Sequence, residues 1–228
     1  MKATSLFRFL LIGLVVSVVI STPAAFADVI SFTLNTPNAA IAGFTGPYVN
    51  VDVNRADLTH ATLTFTSLNS AGGILTYAMG STGLVGASVN STNFTVTGIT
   101  ENGTGTASID NPPGTSNIST FGLFNAALTM TDGFPDRATS VSFLLTNISG
   151  TWAAATNVLA PNAAGFRAVS HIFVSNGPNG TQCGTDACAT GFAGGTGTTT
   201  AVPEPSSLLL LGTTIIAAGI GIRRKMSR

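Results

Sequence analysis

The sequence predicts an all-β protein: a single β-sandwich of jelly-roll type, with a signal peptide before it and a transmembrane helix after it. Three observations lead to this prediction. Apolar and polar residues alternate with a period of two along several segments, turn-forming residues separate those segments, and long uncharged apolar runs stand near both ends. Such alternation is typical of strands with one buried face and one solvent-facing face.

The first 27 residues have the features of a secretory signal peptide. A short basic region, an apolar segment over residues 9–20 and a proline follow one another. Ala25 and Ala27 then occupy the small-residue positions of a cleavage site. The sequence therefore predicts export through the secretion machinery, cleavage after Ala27 and a mature chain that begins at Asp28.

Residues 28–190 form the predicted sandwich. The clearest alternating segments are VISFTLN, YVNVDVN and ATLTFTS, and weaker alternation runs through NFTVTGIT, LFNAALTMT, SVSFLLTN and AVSHIFVSN. Breaks such as NSAGG, ENGTG and DNPPGT supply the turns. About nine or ten short strands in one domain favour a sandwich. We find no repeat of about 20 to 30 residues, which argues against a β-solenoid.

The exported region is acidic and has few charges. Between residues 28 and 201 it holds three arginines, eight carboxylates and no lysine, for a formal charge of −5. The remaining basic residues lie in the two terminal segments. A domain of this kind has no electrostatic means of binding nucleic acid.

The two cysteines, Cys183 and Cys188, predict a local disulfide, because an exported chain meets oxidising conditions. The alternative is part of a metal site, to which only His60 and His171 could add soft ligands.

The stretch DVNRAD offers hard oxygen ligands. Asp52, Asn54 and Asp57 could bind calcium near a strand end, and the alternative is that they are ordinary solvated loop side chains. We expect no other cofactor.

Motifs of catalysis are missing from the sequence. It contains no Gly-x-Ser-x-Gly nucleophile turn, no His-Glu-x-x-His zinc motif and no phosphate-binding Gly-Lys-Ser/Thr loop. His60 and His171 lie beside or within predicted strands, where a histidine is usually structural. Trp152 is interpreted as a core aromatic, with a sugar-stacking platform as the alternative. We therefore expect the protein not to be an enzyme.

The last part of the chain predicts a tether and a membrane anchor. Residues 191–201 are rich in Gly and Thr and are predicted to form a flexible linker. Residues 207–222 form an apolar segment that spans roughly 25 Å as a helix, near the lower limit for crossing a bilayer. A basic cluster follows and is expected to remain cytoplasmic: Arg223, Arg224, Lys225 and Arg228.

A short proline motif precedes the apolar segment. In Val202-Pro203-Glu204-Pro205, the two prolines keep the backbone extended and non-helical. Proteases generally accept peptides in that form, so the motif is a candidate processing site on the outer side of the membrane.

The whole segment 202–228 resembles the PEP-CTERM sorting signal of Gram-negative bacteria that produce exopolysaccharide. The resemblance rests on the Val-Pro-Glu-Pro motif, the short apolar segment and the basic end, in that order. It implies that an exosortase, an integral-membrane cysteine protease, is the partner that cleaves near the motif. Some collections label such a tail as an ice-binding protein C-terminal domain. The stretches TGPYVNVDVN and ATGFAGG also resemble a recurrent exported β-domain of unknown activity.

These observations predict an exported protein of the cell surface or extracellular matrix, structural or adhesive and associated with extracellular polysaccharide. It would first be tethered to the inner membrane through its C-terminal helix. One alternative is a carbohydrate-binding module. Another is an ice-binding protein, for which alternating threonines could line a flat strand face: Thr62, Thr64, Thr66, Thr95 and Thr97.

Overall fold

The computed structural model describes residues 28–69, 76–110, 114–177, 179–197 and 200–202. That part of the chain contains fifteen strands, three 3₁₀ helices of three residues each and no α-helix, which confirms the all-β prediction. The 3₁₀ helices are Ala39–Ile41, Ser119–Phe121 and Ala155–Asn157. The strands are β1 (Asp28–Leu34), β2 (Thr36–Pro37), β3 (Val49–Arg55), β4 (His60–Ser67), β5 (Tyr77–Gly80), β6 (Val85–Ala87), β7 (Phe94–Gly103), β8 (Ser108–Ile109), β9 (Ser116–Asn117), β10 (Leu123–Phe124), β11 (Ala126–Thr129), β12 (Arg137–Asn147), β13 (Ala168–Val174), β14 (Ala189–Gly195) and β15 (Thr200–Val202).

Thirteen of these strands form one branched antiparallel sheet. Its first arm has the order β15-β1-β3-β4-β12-β7. Its second arm is centred on β13, which pairs with β14 on one side and with β5 and β6 on the other; β2 pairs with β14, and β11 and β8 continue beyond β6. Strands β9 and β10 form a separate small hairpin.

Strand β12 connects the two arms. It begins against β5, where Arg137 and Ala138 pair with Gly80 and Met79, and then continues between β4 and β7. The sandwich prediction implied two separate sheets, whereas the observed hydrogen bonding is continuous through β12. The eleven-residue length of this strand allows one end to lie in each arm.

The first arm follows the alternation of the sequence. In β4, Leu63 and Phe65 are fully buried while the threonines on either side of each are half-exposed. In β3, Val51 and Val53 are buried in the same way. Because successive side chains of a strand point to opposite faces, one face of this arm lies on the core and the other faces solvent.

One hydrophobic core fills the space between the arms. Its members come from both arms, among them Phe65 and Phe143 from the first and Ile172 and Val174 from the second. The rings of Phe65 and Phe143 stack with centroids 6.1 Å apart. Each fully buried side chain of this size stabilises the fold by about 1.5–3 kcal/mol.

The second arm is covered on its other face as well. The segment around β9 and β10 lies over it and forms a second cluster with β11 and β13: Ile118, Phe121, Phe124, Ala127 and Val169. On the same face Phe192 covers His171 and Phe134 covers Phe173, so all seven residues of β13 are buried. The expectation that AVSHIFV has a solvent-facing side is therefore wrong, because a chain segment distant in sequence covers that side.

The prediction of a flexible linker is also wrong over residues 191–195, because these residues belong to β14. The glycines there allow close packing. A Cβ on Gly194 would lie 2.5 Å from Phe121 Cδ1, and one on Gly195 would lie 2.8 Å from the Thr33 carbonyl oxygen. Glycine in a strand often marks such a close approach, so the composition that favoured a flexible linker here reflects a crowded strand.

Candidate functional site

The predicted sorting motif begins at the edge of the first arm. Strand β15 pairs antiparallel with β1, so Val202 lies opposite Val29 and Thr200 lies opposite Ser31. Val202 is the first residue of the predicted motif, and β1 begins at Asp28, the residue that follows the predicted signal cleavage. Strand pairing therefore brings the start of the sorting motif next to the start of the predicted mature chain.

Most of the residues predicted to direct sorting lie outside the described part of the chain. These are residues 1–27 with Ala25 and Ala27, the motif residues Pro203, Glu204 and Pro205, the apolar segment 207–222 and the basic cluster of Arg223, Arg224, Lys225 and Arg228. Within the described ranges, no helix is both long enough and apolar enough to cross a bilayer.

Asp28 anchors the beginning of β1. Its carboxylate accepts a hydrogen bond from Arg55 Nε at 2.6 Å, and its second oxygen accepts one from the Ala155 backbone N–H at 2.7 Å. Arg55 is almost fully buried, so its charge needs this partner. The sequence offered no sign of this role, since the three residues meet only through the fold.

The solvent-facing side of the first arm is a broad polar surface, which we call the polar face. Across the strands, Asp52 of β3 lies opposite Ser31 and Thr64, and Thr64 lies opposite Ser142 of β12. Thr64 Oγ1 and Ser142 Oγ are 3.0 Å apart, and Asp52 accepts hydrogen bonds from Ser31 and, at 2.9 Å, from Asn50. This face presents hydroxyl, amide and carboxylate groups that can bind polar partners.

The threonines weighed for ice binding all belong to this arm. Thr62 and Thr66 neighbour Thr64 on β4, while Thr95 and Thr97 pair with Thr146 and Leu144 of β12. The pairing of β12 with β7 contains two register shifts. These shifts lie beyond the rows of Thr95 and Thr97, but Leu144 pairs with both Thr97 and Thr62 and places an apolar residue between the two sets of threonines.

The predicted calcium ligands do not converge. Asp52 and Asn54 lie on the polar face, but Asp57 lies in the turn after β3. Its carboxylate accepts hydrogen bonds from the Thr59 backbone N–H at 2.7 Å and the His60 backbone N–H at 2.8 Å. The bond from Thr59, supported by those from His60, holds the pKa of Asp57 well below its usual range. Across the described residues, no three His, Cys, Asp or Glu side chains form a metal-binding group.

His171 is enclosed on the covered side of β13. Its Nδ1 donates to the Gly80 carbonyl at 2.8 Å, which leaves Nε2 to accept from the Thr190 hydroxyl at 2.7 Å. The ring stacks on Phe192 with centroids 4.5 Å apart. Burial lowers the pKa of His171, although the Gly80 bond and the charge of Asp132 oppose this shift. Both ring nitrogens are engaged, as expected for a structural histidine.

A disulfide joins Cys183 and Cys188, with their Cα atoms 5.2 Å apart. It closes a short loop between β13 and β14. We call residues 182–188 the disulfide loop. These two cysteines are therefore bonded to each other and are not free to ligate a metal.

Trp152 lies in the core and is only 1% exposed. Its indole Nε1 donates to the Asn90 carbonyl at 3.0 Å. The sugar-platform interpretation is therefore wrong, since no ring face is open to a ligand.

Tyr48 and Tyr77 are similarly enclosed, with ring centroids 4.9 Å apart. Burial, with a contribution from Tyr48, raises the pKa of Tyr77 to about 12.

Comparison with protein families finds a PEP-CTERM protein-sorting motif at residues 201–225. The predicted resemblance is thereby confirmed. Such a motif marks an exported protein whose membrane-anchored precursor is processed by an exosortase. The matched segment begins inside β15, so the folded body and the sorting motif share Ala201 and Val202. No curated protein and no solved structure matches the chain.

Proposed function

We propose that this chain is an exosortase substrate whose folded body is delivered to the surface or extracellular matrix of a Gram-negative bacterium. The sorting motif at residues 201–225 carries this proposal. Under this proposal, the protein is the substrate of the processing reaction and has no catalytic role of its own. Before processing, the segment 207–222 tethers the body to the inner membrane, with the basic cluster on the cytoplasmic side.

The pairing of β15 with β1 supports a defined orientation for the tethered precursor. Because the two strands are antiparallel, the chain leaves β15 at the end of the sheet where β1 begins. Both predicted membrane attachments, the signal peptide and the C-terminal segment, then lie at one end of the body. The folded domain, which we interpret as a jelly-roll-like sandwich, extends away from the membrane.

We propose that the delivered body has a structural or adhesive role and associates with extracellular polysaccharide. The polar face supports this role, because it offers many neutral hydroxyl and amide groups at regular strand spacing. Such groups can form hydrogen bonds with the hydroxyls of sugars. The few charges and the absence of lysine in residues 28–201 suit binding by many weak hydrogen bonds. The apolar Leu144, which separates Thr62 from Thr97, makes this proposal preferable to ice binding.

The sorting proposal is tested by the intact mass and C-terminal peptide map of the protein recovered from its producing cell. We expect a chain that begins at Asp28 and ends near Pro203-Glu204-Pro205, in the surface or secreted fraction. A chain that retains Arg228 in the membrane fraction would contradict the proposal, and residues 207–222 would then be a permanent anchor.

A pair of variants makes the same experiment specific for the motif. Glu204→Ala removes the acidic residue between the prolines, and we expect unprocessed precursor to accumulate in the membrane. Ser206→Ala is the matched control, since it changes the residue that directly follows Val202-Pro203-Glu204-Pro205 and should be processed normally. Equal processing of both variants would show that the protease does not use Glu204.

A further inference from the structure

An open polar cleft of about 380 Å³ lies at the second arm, on the side where β12 begins. The starts of β5 and β12 and the end of β13 border it, through Thr76, Arg137 and Ser175. The disulfide loop forms another wall through Gln182 and Gly184. Its volume falls within the range of about 300–1,000 Å³ typical of small-molecule sites.

Arg137 is the one charged side chain among the described residues that line this cleft. Its guanidinium lies over the Phe134 ring, 4.3 Å from the centroid, and its Nη1 donates to the Phe134 carbonyl at 3.1 Å. These contacts hold the guanidinium in place while leaving further N–H donors. In the described part of the chain, Arg55 forms an ion pair with Asp28, whereas Arg137 forms none.

The remaining cleft surface is neutral and rich in hydrogen-bonding groups. Ser175 and Thr76 supply hydroxyls, Gln182 supplies a side-chain amide, and Phe134 supplies an aromatic edge. A planar guanidinium binds carboxylates in a bidentate manner, and neutral hydroxyl and amide groups bind sugar hydroxyls. The combination therefore matches a ligand that carries one carboxylate and several hydroxyls.

We propose that this cleft binds a carboxylated sugar of the uronic acid type, with the carboxylate on Arg137 and the ring hydroxyls on Ser175, Gln182 and Thr76. The inference deepens the polysaccharide association proposed above and rests on it for its biological setting. It makes the partner an acidic polysaccharide. The body as a whole has a formal charge of −5 and weakly repels such a polymer, so recognition depends on this local cation.

The disulfide loop gives the cleft part of its shape. Gln182 precedes Cys183, and Gly184 follows it, so the bond to Cys188 restrains the wall that these two residues form. Reduction of the disulfide should therefore weaken sugar binding even where the β-sheet remains intact.

The test is a titration of the full chain, extracted in mild detergent, with oligogalacturonate and with its methyl ester. The ester keeps the sugar and removes the charge. We expect the free acid to bind at least about tenfold more tightly than the ester, and added salt to weaken binding of the acid. Equal binding of the two compounds, or binding of neither, would overturn the proposed cleft site.

Two variants locate the binding. Arg137→Gln should weaken binding of the acid at least about tenfold, since a hydrogen bond to a charged group is lost. Asn117→Asp is the matched control: it lowers the net charge by the same amount at an exposed position of β9, outside both the cleft and the polar face, and should bind as the parent does. Thermal melting of both variants verifies that they are folded. An equal loss in both would mean that overall charge, and not the cleft, governs binding.

Failure of this inference is distinguishable from failure of the proposed function. A pull-down of the protein on acidic polysaccharide that persists in Arg137→Gln would leave the association standing and place it elsewhere, for example on the polar face. Tail processing, measured by mass, is independent of both results.

Discussion

Strands β4 and β13 have similar lengths and both lie inside the large sheet, yet their surroundings differ. In β4, buried and half-exposed residues alternate from His60 to Phe65. In β13, all seven residues are buried, because the core lies on one face and the cluster around Phe124, together with Phe134 and Phe192, lies on the other. The first arm is thus a half-exposed sheet and the second arm is the middle layer of three.

This difference separates the two tasks of the molecule. The half-exposed arm presents the polar face and holds the start of the sorting motif on its edge strand. The covered arm provides rigidity, and the cleft at Arg137 opens beside it. The ends of β5, β12 and β13 give the cleft three walls on packed strands, and the disulfide restrains its loop wall.

The strongest test of the comparison removes one aromatic side chain from each cluster. Phe65 lies in the core between the arms and Phe124 lies in the outer cluster, and both are almost fully buried. We expect Phe65→Ala and Phe124→Ala each to lower the free energy of unfolding by about 3–5 kcal/mol, through lost burial and a new cavity. Guanidinium denaturation measures both.

If Phe124→Ala lowered the free energy of unfolding by less than about 1 kcal/mol, the outer cluster would contribute little to stability. The description of the second arm as a layer packed on both faces would then be wrong. The double variant adds a second check. Since the two residues belong to different clusters, their effects should sum to within about 0.5 kcal/mol.

A smaller effect is expected from the disulfide at the end of the second arm. Replacing Cys183 and Cys188 together by serine should cost about 2 kcal/mol, because the closed loop is short and restricts the unfolded chain only modestly. Hydrogen exchange should increase in the β13–β14 hairpin and remain unchanged in β3 and β4. An equal increase in both hairpins would show that the disulfide stabilises the whole fold and not the second arm.

The sequence predicted the first arm well for a physical reason. Its strands have water on one face, so the alternation of Val49, Val51 and Val53 with polar residues reports their orientation directly. It predicted β13 less well because the covering segment, from Ile118 to Phe124, is distant along the chain. Burial on a second face leaves no periodic pattern by which to recognise it.

The candidate sites show the same division. The sorting motif is contiguous in sequence, so its residue types and order were sufficient to recognise it. The Asp28–Arg55 pair and the cleft at Arg137 are formed by residues far apart in the chain, and no short motif marks them. The glycines of β14 misled the linker prediction, since composition alone does not distinguish a flexible glycine from a crowded one.

The buried His171 predicts a pH dependence of stability that arises in the covered arm. Burial lowers its pKa in the folded state, so below the ordinary value of about 6.5 the unfolded chain binds more protons than the folded one. Stability should therefore fall as the pH drops through and below that value. Asp132 is the nearby carboxylate that acts on His171 and opposes the shift.

The measurement is guanidinium denaturation between pH 7.5 and pH 5 on the parent and on His171→Gln, which cannot take up a proton. We expect the variant to show a flatter dependence over this range. Ser170→Ala, at the neighbouring buried position of β13, removes no titratable group; it is the control and should retain the slope of the parent profile. An identical slope for parent and His171→Gln would assign the pH dependence to other groups.

The smallest effects come from removing one hydroxyl in each arm. Ser170 is fully buried in β13 and donates to the Leu84 carbonyl at 2.7 Å, whereas Thr64 lies half-exposed on the polar face. We expect Ser170→Ala to cost about 1 kcal/mol, because a buried hydrogen bond is lost. Thr64→Val should stay within about 0.5 kcal/mol of the parent, because water can replace the contact with Ser142. If the two costs were equal, the hydroxyl of Thr64 would be as well enclosed as that of Ser170, and the first arm would have a partner covering its polar face under the conditions of the experiment.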